Sequence, residues 1–209
     1  VMMAVKSGRA ICFEESKVRE TGRGAIGVFG IELDENNDEV IGMVCVAKKD
    51  MRQKQILVVS EKGLGKRTPF IEEIADGENT EDMSNLIELT DENGNTKKYQ
   101  LAYRITNRGG KGVRTINITD KTGALVGLLS VEEKEDLIIT CKSGITIRMN
   151  VASIREAGRA TQGVRLINLD GGDSIAAIAR IEEQEQEENG ENVDTSTEAS
   201  GEVGENAPE

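Results

Sequence analysis

The 209-residue chain contains no histidine and no tryptophan, and only two tyrosines, three phenylalanines and two prolines. Each shortage removes a class of function. Without histidine there is no Ser-His-Asp or Cys-His nucleophile pair and no imidazole metal ligand. So few aromatics argue against stacking platforms for single-stranded nucleic acid and against the aromatic anchors of a protein-docking hot spot. No apolar run approaches the roughly 20 residues that cross a bilayer, and no signal peptide is visible. The three cysteines, Cys12, Cys45 and Cys141, are odd in number, far apart and set in apolar runs; they read as small core residues in a reducing compartment.

What the chain does contain is a repeat. Arg23–Phe29 (RGAIGVF), Arg108–Arg114 (RGGKGVR) and Arg159–Arg165 (RATQGVR) all fit R-x-x-x-G-V, and each runs into an alternating tail, GIEL, TINI and LINL. Upstream, Gly8, Gly63 and Gly144 each close an apolar run; downstream lie VIGMVCV, LVGLLSV and IAAIARI. Three anchors in the same order, three times, make an internal repeat of roughly 50 residues, the signature of solenoids and propellers. The units are expected at 1–55, 56–136 and 137–182. The middle one carries an insertion at 75–102, expected as a solvated excursion. Val1–Val5 already occupies a strand position, so the chain reads as beginning inside a repeat, as a fragment would.

Strand signals dominate: ILVVS, VRTINIT, LIITCK and VRLINL are β-branched runs separated by KSG, EKG, TDKTGA and LDGGD turns. Only EESKVRE, PFIEEIAD and NVASIREAG could each hold a turn of helix. About four strands per unit and no long amphipathic helix predict an all-β, propeller-like array of four-stranded blades, here partial. GLGKRT at 63–68 lacks the spacing of a phosphate-binding P-loop and precedes no helix.

The net charge of −12 is unevenly distributed. Residues 182–209 hold 11 acidic and no basic residues, and 183–209 reads as a disordered acidic tail, either a solubilising terminus or a competitor for a basic surface. The insertion holds 7 acidic and 2 basic residues, leaving a body with a net charge of +4. In that body basic residues recur at matched positions: Arg23, then Arg108, Lys111 and Arg114, then Arg159 and Arg165, with Lys66, Arg67 and Arg148 after the first anchor glycine. Equivalent positions on successive blades line one rim, and a spaced row of cations matches a phosphate backbone. Gly27, Gly112 and Gly163 share one repeat position and are expected to serve a positive φ or a close backbone approach. Gly109 and Gly110 would expose backbone N–H groups to a phosphate.

These units resemble the C-terminal domain family of the bacterial DNA gyrase A subunit. The resemblance rests on EKGLGKRT (61–68), YRITNRGGKGV (103–113) and GRATQGV (158–164), found together and in order over about residues 1–181, followed by an acidic tail. It implies a six-bladed β-pinwheel whose blades exchange strands and whose basic rim wraps double-stranded DNA, of which this chain holds about the last three blades. It implies a non-catalytic segment of an ATP-hydrolysing type II topoisomerase that introduces negative supercoils. Its partners would be duplex DNA, the B subunit in an A2B2 assembly, and the rest of the A subunit. The implied place is the bacterial cytoplasm, on the chromosome and away from membranes. ATP and magnesium would sit on the B subunit, with no cofactor or metal in this segment. TNRGGKG (106–112) keeps only the last five letters of the family's Q-R-R-G-G-K-G box and reads as an ordinary blade corner. The corresponding domain of topoisomerase IV is the near alternative, and a protein-interaction propeller the distant one.

Overall fold

The computed structural model describes residues 1–34, 37–74, 85–91 and 93–181; the acidic tail read at 183–209 lies outside them. The first unit supplies β1 (Met2–Val5), β2 (Arg9–Cys12) and β3 (Val40–Val44). The second supplies β4 (Gln55–Ser60), β5 (Leu64–Pro69), β6 (Ile71–Glu73), β7 (Leu86–Thr90), β8 (Thr96–Leu101), β9 (Val113–Arg114) and β10 (Leu125–Val131). The third supplies β11 (Asp136–Cys141), β12 (Thr146–Asn150), β13 (Val164–Arg165) and β14 (Ile175–Ile181).

The fold is all-β and its strand pairings are antiparallel, in sheets ordered β3-β1-β2-β9, β10-β4-β5-β13, β12-β11-β14 and β6-β8-β7. Each of the first two units therefore provides three strands of its own sheet and takes the fourth from the next unit. The hand-over strands are the G-V segments: Val113 pairs with Ala10 and Val164 with Gly65. In the first unit, Gly27–Phe29 occupies the same repeat position but belongs to no strand.

The hand-over explains the repeated glycine. A Cβ on Gly112 would lie 2.3 Å from the Ala10 carbonyl oxygen, and one on Gly163 would lie 2.5 Å from that of Gly65. Both have positive φ, 71° and 80°. Both anticipated reasons hold there, and neither holds at Gly27, which faces open space because no strand lies against it.

The sheets stack face to face. Strand β4 is buried on both sides: Ile56 and Val58 join one apolar cluster with Met2, Leu125 and Leu128, while Leu57 and Val59 join another with Leu137, Ile139 and Val151. Burial on both faces is why ILVV is a continuous apolar run rather than an alternating one. The turns are pinned in a repeated way: Asp38 accepts from the backbone N–H and hydroxyl of Ser7, and Asp173 does the same for Ser143.

Three expectations change. The described part of PFIEEIAD, 69–74, is not a helical turn; Ile71–Glu73 is β6, paired with β8, because Ile71 and Leu101 are drawn into the core together. Short 3₁₀ turns do form at Glu15–Lys17 and Val151–Ser153, and a further one at Lys48–Asp50. Cys12 and Cys141 are buried, but Cys45 is exposed, since it continues the outward alternation of Met43 on the outermost strand of its sheet. The described part of the insertion is no solvated excursion. Strands β6, β7 and β8 form a sheet whose inner face, Ile71, Ile87, Leu89, Tyr99 and Leu101, packs into the first core cluster. The Arg52 guanidinium caps it, 4.9 Å from the Tyr99 ring centre and donating to the Leu89 carbonyl at 3.2 Å.

Candidate nucleic-acid interface

The structure divides the predicted basic residues into struts and free cations. Lys66 and Arg67 are struts. Lys66 is wholly buried, and its Nζ donates to the Gly158 carbonyl at 2.5 Å. Arg67, 6% exposed, donates through Nε to Ile154 O at 2.6 Å and through Nη1 to Gln55 Oε1 and Glu133 Oε1 at 2.8 and 2.7 Å. Thr68 donates to the Ala157 carbonyl. The cause is tertiary: residues 154–158 of the third unit cross β5, with an Arg67–Glu156 bridge. Cys12 holds the equivalent place in the first unit and makes the equivalent bridge, to Ile105, its carbonyl accepting from the Thr106 N–H and hydroxyl. Lys66 and Arg67 therefore clamp two units together and present no surface to a phosphate, contrary to the expectation from sequence. Burial, with Arg159 nearby, pulls the Lys66 ammonium down to about 8 from its ordinary 10.5.

Arg108 is half-buried and also committed, donating to the Lys17 and Phe29 carbonyls at 2.9 and 3.1 Å. The Gly109 N–H, expected to be open to a ligand, donates to the Gly30 carbonyl at 2.7 Å. Lys111 lies 3.6 Å from Glu32, and Arg148 donates to Asp136 at 2.6 Å. Both cations are exposed, and surface pairs of this kind exchange readily for another anion. Arg23, Arg114, Arg159 and Arg165 are exposed, the Arg165 guanidinium donating to Asn168 Oδ1 at 3.4 Å.

A second repeated cation escapes the R-x-x-x-G-V pattern. Arg19, Arg104 and Arg155 stand four residues before Arg23, Arg108 and Arg159, so each unit carries R-x-x-x-R. All three are exposed, and none has a carboxylate partner among the described residues. The signal that could have found them is this spacing, just upstream of the glycine corner. With the exposed members of the first row they give each unit free guanidinium groups at matched places. Arg104 of the second unit and Arg159 of the third line the same cleft, so the rows of neighbouring units meet. Tyr103, beside Arg104, is buried, its hydroxyl 2.6 Å from the Thr115 hydroxyl, and burial pushes its pKa up. Among the described residues no three His, Cys, Asp or Glu side chains gather as metal ligands, and no helix is long and apolar enough to cross a membrane.

The family model described as DNA gyrase C-terminal domain, beta-propeller, matches residues 1–47, 54–72, 102–132 and 135–182. The chain belongs to this family. The DNA gyrase A subunit of Campylobacter fetus is 39% identical over 175 residues, covering 84% of this chain and 16% of that protein. The DNA gyrase A subunit of Staphylococcus aureus (strain MRSA252) is 35% identical over 182 residues, 87% of this chain and 17% of that protein. The chain thus spans about a sixth of the length of these relatives. Two solved structures share the fold. A DNA gyrase A C-terminal domain superposes with a TM-score of 0.62 at 24% identity, over 86% of this chain and 49% of that one. The C-terminal domain of a DNA topoisomerase IV gives 0.63 at 15% identity, over 87% and 46%. The family match is interrupted at 73–101, where β7 and β8 lie.

Proposed function

We propose that this chain binds double-stranded DNA without reading its sequence and bends it along the rows of free arginines, as the DNA-wrapping part of a gyrase-type A subunit. One observation carries the reading: Arg19/Arg23, Arg104 and Arg155/Arg159 are exposed, without a carboxylate partner among the described residues, and placed alike in successive units. Phosphates spaced along a duplex are the anion that such a series fits, and their neutralisation releases counterions. Among the described residues the strip has no helix to enter a major groove, so it offers backbone contact rather than base readout. In this reading the chain performs no chemistry. ATP and magnesium belong to a partner B subunit, strand cleavage to the rest of the A subunit, and the assembly works on the chromosome in the bacterial cytoplasm. Gyrase is favoured over topoisomerase IV by the 39% and 35% identities to gyrase A subunits, against fold-level likeness alone for topoisomerase IV.

The test is a salt titration of duplex affinity for the wild type and for R23A, R104A, R155A and R159A. Affinity should fall steeply with salt, and each substitution should make the slope shallower by about 0.9 for each phosphate no longer neutralised. Salt-insensitive binding, or none at low salt by protein shown to be folded, would overturn the reading and favour a protein-docking role.

A further inference from the structure

The inserted sheet has a second face. Register places Glu72 across from Gln100 and Glu88 across from Lys98, on the side away from the core, with Glu88 4.0 Å from the Lys98 ammonium in an exposed ion pair. Glu72, Asn85 and Gln100 form one wall of a cleft of about 390 Å³, and Gly158–Arg159 of the third unit forms the other, with Arg104 also lining it. Glu72 has no cationic partner among the described residues, and Arg104 and Arg159 have no anionic one, although all three border the same small space. Among the described residues Glu72, on β6 just before the insertion, is the one carboxylate that lines the cleft. The inner face of the same sheet packs against the core shared by the first and second units, under Arg52, and there Arg108 is held by the carbonyls of Lys17 and Phe29.

We propose that the inserted sheet is an acidic side rail for duplex DNA at the junction of the second and third units. The proposal rests on the arginine strip being the DNA track. A phosphodiester backbone at the mouth of the cleft meets the guanidinium groups of Arg104 and Arg159 and the carboxylate of Glu72. Its position of lowest energy is displaced towards Arg104 and Arg159, and a duplex is turned away from the outer face of the insert. The track is therefore asymmetric along the chain: Arg159 shares its cleft with a carboxylate, whereas Arg108 is held by two carbonyls. The insert restricts where the duplex leaves the strip and weakens binding at that place, without touching a base.

The experiment uses the whole chain with E72K, E88K and the double variant, with E39K as a charge control and R159A as a track control. Glu39 is exposed beside the Lys6 turn and does not line the cleft. Duplex affinity is titrated against salt, and the bound DNA is mapped by hydroxyl-radical footprinting. The rail predicts that E72K with E88K tightens binding several-fold more than E39K at low salt, steepens the salt slope by about 0.9 for each further phosphate neutralised, and lengthens the protected stretch. A gain no larger than that of E39K, or weaker binding, overturns the rail while a loss in R159A leaves the strip standing. R159A binding as tightly as the wild type would overturn the strip and the rail with it.

Discussion

Lys66 and Arg159 begin as the same kind of residue in the sequence, basic and repeated, and end as opposites in the structure. Lys66 is wholly buried against Gly158 O, whereas Arg159 stands free at the cleft. What separates them lies about 90 residues along the chain, where residues 154–158 cross β5. No local pattern records that crossing, which is why Lys66 and Arg67 look like surface cations in the sequence and are not. Burial leaves a titration signature. The folded chain releases the Lys66 proton near pH 8, the unfolded chain near the ordinary 10.5. Between those values the unfolded state binds more protons, so stability rises with pH across the window; below pH 8 both states are protonated and the cost of burying the charge is fully present. Urea midpoints of wild type and K66M from pH 7 to 10.5 should show the wild type gaining on the variant only above about 8. Parallel curves throughout that range would show that Lys66 titrates as an exposed lysine.

Elements were legible wherever the cause was local. The three R-x-x-x-G-V corners and the glycine-closed turns announced the repeat, and alternation announced the strands around them. The insert was not legible, because TKKYQL carries a lysine on each face and LIELT a central glutamate, and both owe their strand state to the core beneath Tyr99, Leu101 and Ile87. Hand-over is also invisible in composition, yet one residue position reports it. Gly163→Ala would force a Cβ within 2.5 Å of the Gly65 carbonyl at a φ of 80°. The loss should be at least about 2 kcal/mol, left-handed backbone alone costing about 1–2. In a domain of this size that lowers the melting temperature by about 4–8 °C. Gly27→Ala, at the same repeat position with nothing within 4 Å, should melt within about 2 °C of wild type, an exposed site being worth no more than about 0.5 kcal/mol. Equal losses at the two sites would mean that close approach at the hand-over is not what the glycine serves.

Across the whole molecule, charge is segregated: a body of net +4, an acidic insert and a tail with 11 acids. The tail is tethered, so its local concentration at the arginine strip is high whatever the concentration of protein. A variant lacking residues 182–209 should bind duplex DNA more tightly at low salt, with the difference shrinking as salt screens the tail over about 10 Å at 0.1 M. Equal low-salt affinity with and without the tail would leave it a solubilising terminus.

Strand hand-over also sets a timetable for biosynthesis. Arg9 and Ala10 of β2 find their outer neighbours only at Arg114 and Val113, about a hundred residues later, and Leu64 and Gly65 wait about as long for Arg165 and Val164. A ribosome adding about 5–20 residues per second leaves each edge bare for on the order of 5–20 s. The insert falls inside both intervals and prolongs them. A nascent chain stalled before residue 113 therefore offers its β2 edge to any strand that passes.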